Sequence, residues 1–127
     1  MSQELVTIDP ESKLMTVDEF LDWYPDGYGR FELHKGEIVE MQPTGTHERV
    51  TSELAAEALI EIRRLKLPYF VARQCVVQPV DSDKSCYIPD VIILDENALE
   101  NEPLWKKRSL ITKGESARLV IEVVSTN

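Results

Sequence analysis

The sequence predicts an α+β domain of sandwich-like build, on three observations. A hairpin pattern runs from Arg30 to Met41 around Lys35-Gly36, and one long amphipathic stretch follows from about His47 to Lys66. Two short apolar runs, Val91-Ile92-Ile93-Leu94 and Leu119-Val120-Ile121, then have the bulky, largely β-branched character of strands covered on both faces. A chain of 127 residues can bury about two thirds of its unfolded surface, enough for one core. One domain over residues 15–127 is therefore expected, with residues 1–14, mixed and aperiodic, as an N-terminal arm.

Composition narrows the class. The chain is 43% hydrophobic and 29% charged, as ordinary soluble domains are, and no apolar run approaches the roughly 20 residues of a membrane span. The first residues, Met-Ser-Gln-Glu-Leu, carry neither a basic region nor an apolar core, so no secretory signal is read there and a cytoplasmic location is expected. Cys75 and Cys86 then read as free, packed thiols, and without CxxC or paired histidine spacing they give no zinc site. A net charge of −9 argues against gripping nucleic acid by bulk electrostatics, because phosphate binding rests on Lys and Arg displacing counterions. Basic residues still group at Arg63, Arg64 and Lys66 and at Lys106, Lys107 and Arg108, either as solvated charge runs or as a local basic face.

The elements follow in order. Thr16 with Glu19 forms a capping box, and Met15 with Phe20 is spaced for a hydrophobic staple, so a short helix starts there and Tyr24-Pro25-Asp26-Gly27 ends it. In the hairpin, a two-residue turn at Lys35-Gly36 sets His34 opposite Glu37, Leu33 opposite Ile38, Glu32 opposite Val39 and Phe31 opposite Glu40. Glu40 shares the face of Phe31, Leu33 and Ile38, and Glu32 the face of Val39 and Met41. Either acid can reach a site or stand in solvent. Pro43-Thr44-Gly45-Thr46 reads as a loop into the long helix, whose expected buried stripe is Val50, Leu54, Ala58, Ile62 and Leu65. Pro68 stops that helix. Tyr69 to Val80 reads as a strand, antiparallel to the central strand after the polar turn at residues 81–84. Residues 95–117 read as a long surface connection with one helical turn near Asn97 to Glu100, and Arg118 to Val124 as the last strand.

Two acids stand out against this background. Asp90 sits at the opening of the first apolar run, where Pro89 cannot donate to a ladder, and Glu122 is the single acid in the second. Pro-Asp also opens turns, and one Glu in a strand also points outward. An unpaired buried carboxylate is costly unless it is hydrogen-bonded, paired or metal-bound, so two of them on neighbouring strands form the best functional clue. The layout suits a divalent cation held over a sheet edge: Mg²⁺ prefers oxygen ligands, keeps several waters and takes only one or two protein carboxylates. Such a metal polarises a phosphoryl oxygen and lowers the pKa of an attacking water. His47 falls in the first turn of the long helix, where the positive end of the dipole disfavours a charged imidazole. It reads either as a neutral imidazole able to accept a proton or ligate a metal, or as a surface residue near a cap.

Phe31-Glu32-Leu33, Gly36-Glu37-Ile38-Val39-Glu40-Met41, His47 at a helix start, Pro89-Asp90-Val91, and Leu119-Val120-Ile121-Glu122-Val123 with Ser125 together resemble the Uma family of restriction endonucleases. That family belongs to the PD-(D/E)xK nuclease superfamily, and the resemblance spans about Met15 to Ser125. It implies a restriction-endonuclease-like core and a phosphodiester-hydrolysing, Mg²⁺- or Mn²⁺-dependent endonuclease, DNA foremost. Asp90 and Glu122 would be its metal-binding acids, Glu32 or Glu37 a supporting one, and His47 a residue of the rim.

One departure bears on activity. The superfamily commonly carries a lysine two residues after the second acid, and this chain has Val124 there. The family is expected to bring its lysine from a helix after Ser125. The sequence therefore reads as C-terminally incomplete, lacking that helix and the last strand. It would be a truncated module with little activity alone, or one completed by a partner, most simply in a homodimer. Two rival expectations stand beside the nuclease: a catalytically degenerate domain serving as an interaction or structural subunit, and a small acidic domain that binds a non-nucleic ligand.

Overall fold

The computed structural model describes residues 14–26, 30–42 and 44–124. The expected arm over residues 1–13, together with Gly27, Pro43 and Ser125, lies outside them. The architecture is mixed α+β, with antiparallel sheets and one long helix.

Helix α1 (Val17–Trp23) begins as its capping box dictates: Glu19 N–H donates to the Thr16 hydroxyl at 3.2 Å and Thr16 N–H to the Glu19 carboxylate at 2.8 Å. It buries Val17 and Phe20. Strands β1 (Arg30–His34) and β2 (Glu37–Met41) pair antiparallel in the expected register, from Arg30 opposite Met41 to His34 opposite Glu37. Both turn residues have positive φ, 53° at Lys35 and 87° at Gly36. Such a turn matches the strands' twist, and a Cβ at Gly36 would also collide with Leu14.

Helix α2 (Gly45–Leu65) starts two residues before His47 because Thr44 caps it, accepting from His47 N–H at 3.1 Å. The expected loop is thus already helical at Gly45 and Thr46. At the far end Lys66 turns left-handed (φ 54°) and Leu67 N–H returns to Ile62 C=O at 3.1 Å, so backbone capping ends the helix before Pro68. The covered stripe is also displaced from expectation: Thr51, Ala55 and Ile62 are buried, while Val50 and Leu65 are exposed. Small residues at 51, 55 and 58 let α2 lie close on strands β3 (Tyr69–Ala72) and β5 (Val91–Asp95), and that approach selects the face.

The expected strand from Tyr69 to Val80 is two strands, β3 and β4 (Val76–Val77), separated by Arg73-Gln74-Cys75. β3 pairs antiparallel with β5, which pairs antiparallel with β7 (Ala117–Ile121), giving the order β3-β5-β7. The expected surface connection over 95–117 is a correction. It carries a 3₁₀ turn (Ala98–Asn101), helix α3 (Trp105–Arg108) and strand β6 (Leu110–Ile111), which pairs in parallel with β4 and is buried. Two apolar clusters result. Phe20, Phe31, Leu33, Cys86, Ile88 and Leu110 join α1, the hairpin and β6, and Ala72, Cys75, Ile92, Leu94, Leu99 and Ile111 fill the space under β5. Cys75 and Cys86 are free thiols in these clusters, pushed up to about 12 chiefly by burial, which keeps them protonated and unreactive.

The segment before β5 positions the site. Cys86 exchanges both backbone hydrogen bonds with Leu33 (2.8 and 3.0 Å), and Tyr87 both with Val77 (2.8 and 2.9 Å). Residues 86 and 87 are thereby laced between the hairpin and β4, which fixes the chain entering Asp90.

Candidate active site

One cavity of about 300 Å³ opens where several element ends meet. The start of β1 supplies Arg30 and Glu32, the end of β2 Met41 and Gln42, the first turn of α2 His47, the approach to β5 Ile88 and Asp90, and the exit of β7 Glu122 and Val123. Strand alternation explains the hairpin's share. Phe31 and Leu33 enter the core on one face, and Glu32 between them faces the other way, into the cavity.

Asp90 is the hub. Its Oδ2 accepts from Val123 N–H at 2.7 Å and lies 3.2 Å from His47 Nε2, and its Oδ1 is 3.7 Å from an Arg30 terminal nitrogen. Its own N–H donates to Glu122 Oε1 at 3.2 Å. Glu122 thus holds the Asp90 N–H while Asp90 holds the N–H of the next residue, Val123, which explains why β7 stops at Ile121. Val123 N–H goes to the Asp90 carboxylate instead of a strand ladder, leaving Glu122 one residue beyond the strand rather than inside it.

An ionised carboxylate only accepts, so the Asp90 contact puts the His47 proton on Nε2. Nδ1 is buried with no partner among the described residues. Glu32 is buried and doubly engaged: Oε2 accepts from Ile88 N–H at 2.8 Å and Oε1 meets His34 Nε2 at 2.9 Å. It braces the backbone two residues ahead of Asp90. Glu122 is held above the ordinary carboxylate range. Burial is the main cause, opposed by the Asp90 N–H and reinforced by the negative charges of Asp90 and Glu32.

The structure thus brings together four of the five residues singled out in the sequence, Asp90, Glu122, Glu32 and His47. Glu37 is exposed, opposite His34 at the turn end of the hairpin, and does not line the cavity. Glu40 is exposed too. Val124 is 78% exposed and takes no part in the lining. Arg30 was missed by sequence reasoning. The available signal was its register opposite Met41, which puts it beside the loop into α2 and His47. The Arg63-Arg64-Lys66 group sits at the other end of α2, about 25 Å along the helix from His47, so it does not border the cavity.

The donor set fits a hard divalent cation. Asp90 and Glu122 both offer carboxylate oxygens to the cavity, and Glu122's carboxyl is raised by its burial first and by the charges of Asp90 and Glu32 after that. Among the described residues no group of three or more His, Cys, Asp and Glu side chains is placed to hold a metal ion. No helix among them is long and apolar enough to cross a membrane.

Comparison with known proteins agrees with this architecture. No curated protein matches the chain. The crystal structure of a putative nuclease belonging to DUF820 from Anabaena variabilis matches with a TM-score of 0.63 at 18% identity, over 87% of this chain. The chain spans 59% of the length of that protein. A model of the Uma2 family, described as "Putative restriction endonuclease", matches residues 17–127. With its capped helix, hairpin, and paired acids at the ends of β5 and β7, the chain belongs to the Uma2 family.

Proposed function

We propose that this domain is of the divalent-metal-dependent endonuclease type, acting on phosphodiesters and on DNA foremost, with Asp90 and Glu122 holding Mg²⁺ or Mn²⁺. The observation that carries the reading is the pair of hydrogen bonds joining the two acids' segments, Asp90 N–H to Glu122 and Val123 N–H to Asp90, inside a cavity that keeps Glu122's carboxyl elevated. A purely structural acid is normally saturated by donors, and Glu122 receives a single N–H among the described residues. When bound, the metal would supply a Lewis acid for the phosphoryl oxygen and acidify a water. The chain's own residues do the rest. Asp90, fixed by Val123 N–H and His47, presents an oriented carboxylate, and Glu32 holds the strand approach in place through Ile88.

The rival reading, a degenerate domain used as an interaction subunit, draws on Val124, which stands exposed where a lysine would be. On the nuclease reading the isolated chain cuts poorly and binds DNA weakly and salt-sensitively, given a net charge of −9. We also infer self-association in the cytoplasm as a twofold dimer. β7 pairs only with β5 among the described residues, Leu119 and Val120 on it are each 47% exposed, and Leu119 lines an apolar groove of about 440 Å³ beside α2. Sedimentation at micromolar concentration checks this: a dimer is expected, and a stable monomer contradicts it. The metal reading is tested by calorimetric Mn²⁺ titration. Asp90→Ala and Glu122→Ala are each expected to weaken binding about tenfold or more, and unchanged affinity in both removes the assignment.

A further inference from the structure

We propose that Arg30 is the phosphate-binding residue of this cavity, its guanidinium taking a non-bridging oxygen of a phosphodiester. This rests on the nuclease reading and extends it to the substrate's anion. Charge makes the first case. Glu32, Asp90 and Glu122 face one cation among the cavity's lining residues, so a phosphodiester entering there meets repulsion that a metal at the Asp90–Glu122 end offsets on one side only. The other positive charge in reach is Arg30.

Hydrogen bonding makes the second case. A guanidinium carries five N–H donors, and a buried one normally spends them. The Arg30 side chain is 21% exposed, yet it donates one hydrogen bond, from a terminal nitrogen to Ile88 C=O at 3.3 Å. Its approach to Asp90 Oδ1, 3.7 Å, is an ion pair too long for a hydrogen bond. Its Nε is buried with no partner among the described residues. The side chain is thus anchored at one corner and unsaturated on the rest: Nε lacks an acceptor, and the second terminal nitrogen, 3.7 Å from Asp90 Oδ1, makes no hydrogen bond and can take a phosphate oxygen that enters the cavity. A purely structural counter-ion for Asp90 would close to bidentate contact. Placement on β1 makes the third case: the grip comes from a rigid strand paired across to Met41, so it needs no lysine after Glu122.

The test uses the thymidine dinucleotide with a single phosphodiester, titrated into the ¹⁵N-labelled chain without metal, with the Arg30 Nε–H signal as readout. The expected result is a saturable shift of that signal, with affinity reduced about tenfold in Arg30→Lys, which keeps the charge and loses the fork, and abolished in Arg30→Gln. In parallel, Mn²⁺ affinity in Arg30→Gln is expected not to fall, because a cation beside the carboxylates has been removed. An Arg30 Nε–H signal in the wild-type chain that is indifferent to the dinucleotide overturns the proposal without reference to any variant, as does unchanged dinucleotide affinity in Arg30→Gln. The nuclease reading fails separately. If Asp90→Ala leaves Mn²⁺ affinity intact while Arg30→Gln loses the dinucleotide, the phosphate site stands without the metal site.

Discussion

Two acid centres in this domain are built on opposite plans. Glu102 is buried in the connection between β5 and β7, where Thr112 N–H (2.9 Å), Thr112 hydroxyl (3.0 Å), Lys113 N–H (2.9 Å) and Ser116 hydroxyl (2.6 Å) all donate to it. Burial pushes its carboxyl up, but those four hydrogen bonds outweigh the penalty and hold it below the usual range. At the cavity, Glu122 receives one N–H from Asp90, stands near two other carboxylates, and is raised. The first carboxylate is saturated and ties a loop together. The second is left with one donor among the described residues, which is what a site awaiting a cation or a proton looks like in a fold otherwise careful about its polar groups.

The largest expected effect falls on the saturated acid. Glu102→Ala leaves the buried Ser116 hydroxyl and the part-buried Thr112 and Lys113 donors unpaired, the buried one at the upper end of about 1–3 kcal/mol and the others below it, so a loss of roughly 3 kcal/mol is expected. Thermal unfolding should shift down by about 12 °C. A shift of a degree or two would mean that the knot is dispensable and the comparison misdrawn. Its pH dependence also has a definite sign. Glu102's folded pKa is depressed, so its contribution is present above the ordinary glutamate value and is lost as pH falls through the lower, folded one.

Glu122 runs the other way, with a smaller effect. Its folded pKa is raised, so the native state keeps a proton that the unfolded chain has released, and stability falls as pH rises from the ordinary glutamate value through the raised one. Glu122→Gln should therefore unfold no earlier than the wild type at neutral pH and lose that decline. The same sign predicts that Mn²⁺ binding weakens as pH falls through this window, with proton release on binding, and that the Gln variant no longer shows the release. Calorimetry in buffers of different ionisation enthalpy measures it. Equal proton release by wild type and variant would mean that Glu122 does not titrate with the metal.

How far the sequence revealed this contrast depends on whether the signal was local. The Thr16/Glu19 box and the Lys35-Gly36 turn with its register are written in adjacent residues and took the expected places, and Asp90 stands at the opening of β5 as expected, whereas Glu122 falls one residue beyond β7 instead of inside the strand. Glu102 was not legible, since its partners lie 10 to 14 residues away in a stretch with no periodicity. β6 was hidden for a related reason: two residues, Leu110 and Ile111, become a strand only because β4 offers a parallel edge. The stripe on α2 shifted because the close approach of Thr51, Ala55 and Ala58 to the sheet outweighs the burial of Val50 and Leu65, a choice made by packing. Arg30 looked like the first residue of a hairpin, and only the meeting of five element ends gives it a cavity to face.

On the proposed function the cavity acids, and not the saturated Glu102, receive the metal. Substoichiometric Mn²⁺ added to the ¹⁵N-labelled chain reveals which through paramagnetic broadening of amide signals. The signals of Asp90, Glu122 and Val123 are expected to vanish first and those of Glu102, Thr112 and Ser116 to persist, with the selective loss abolished in Asp90→Ala. Broadening spread evenly over exposed acids, or centred on residues 102–116, would contradict it.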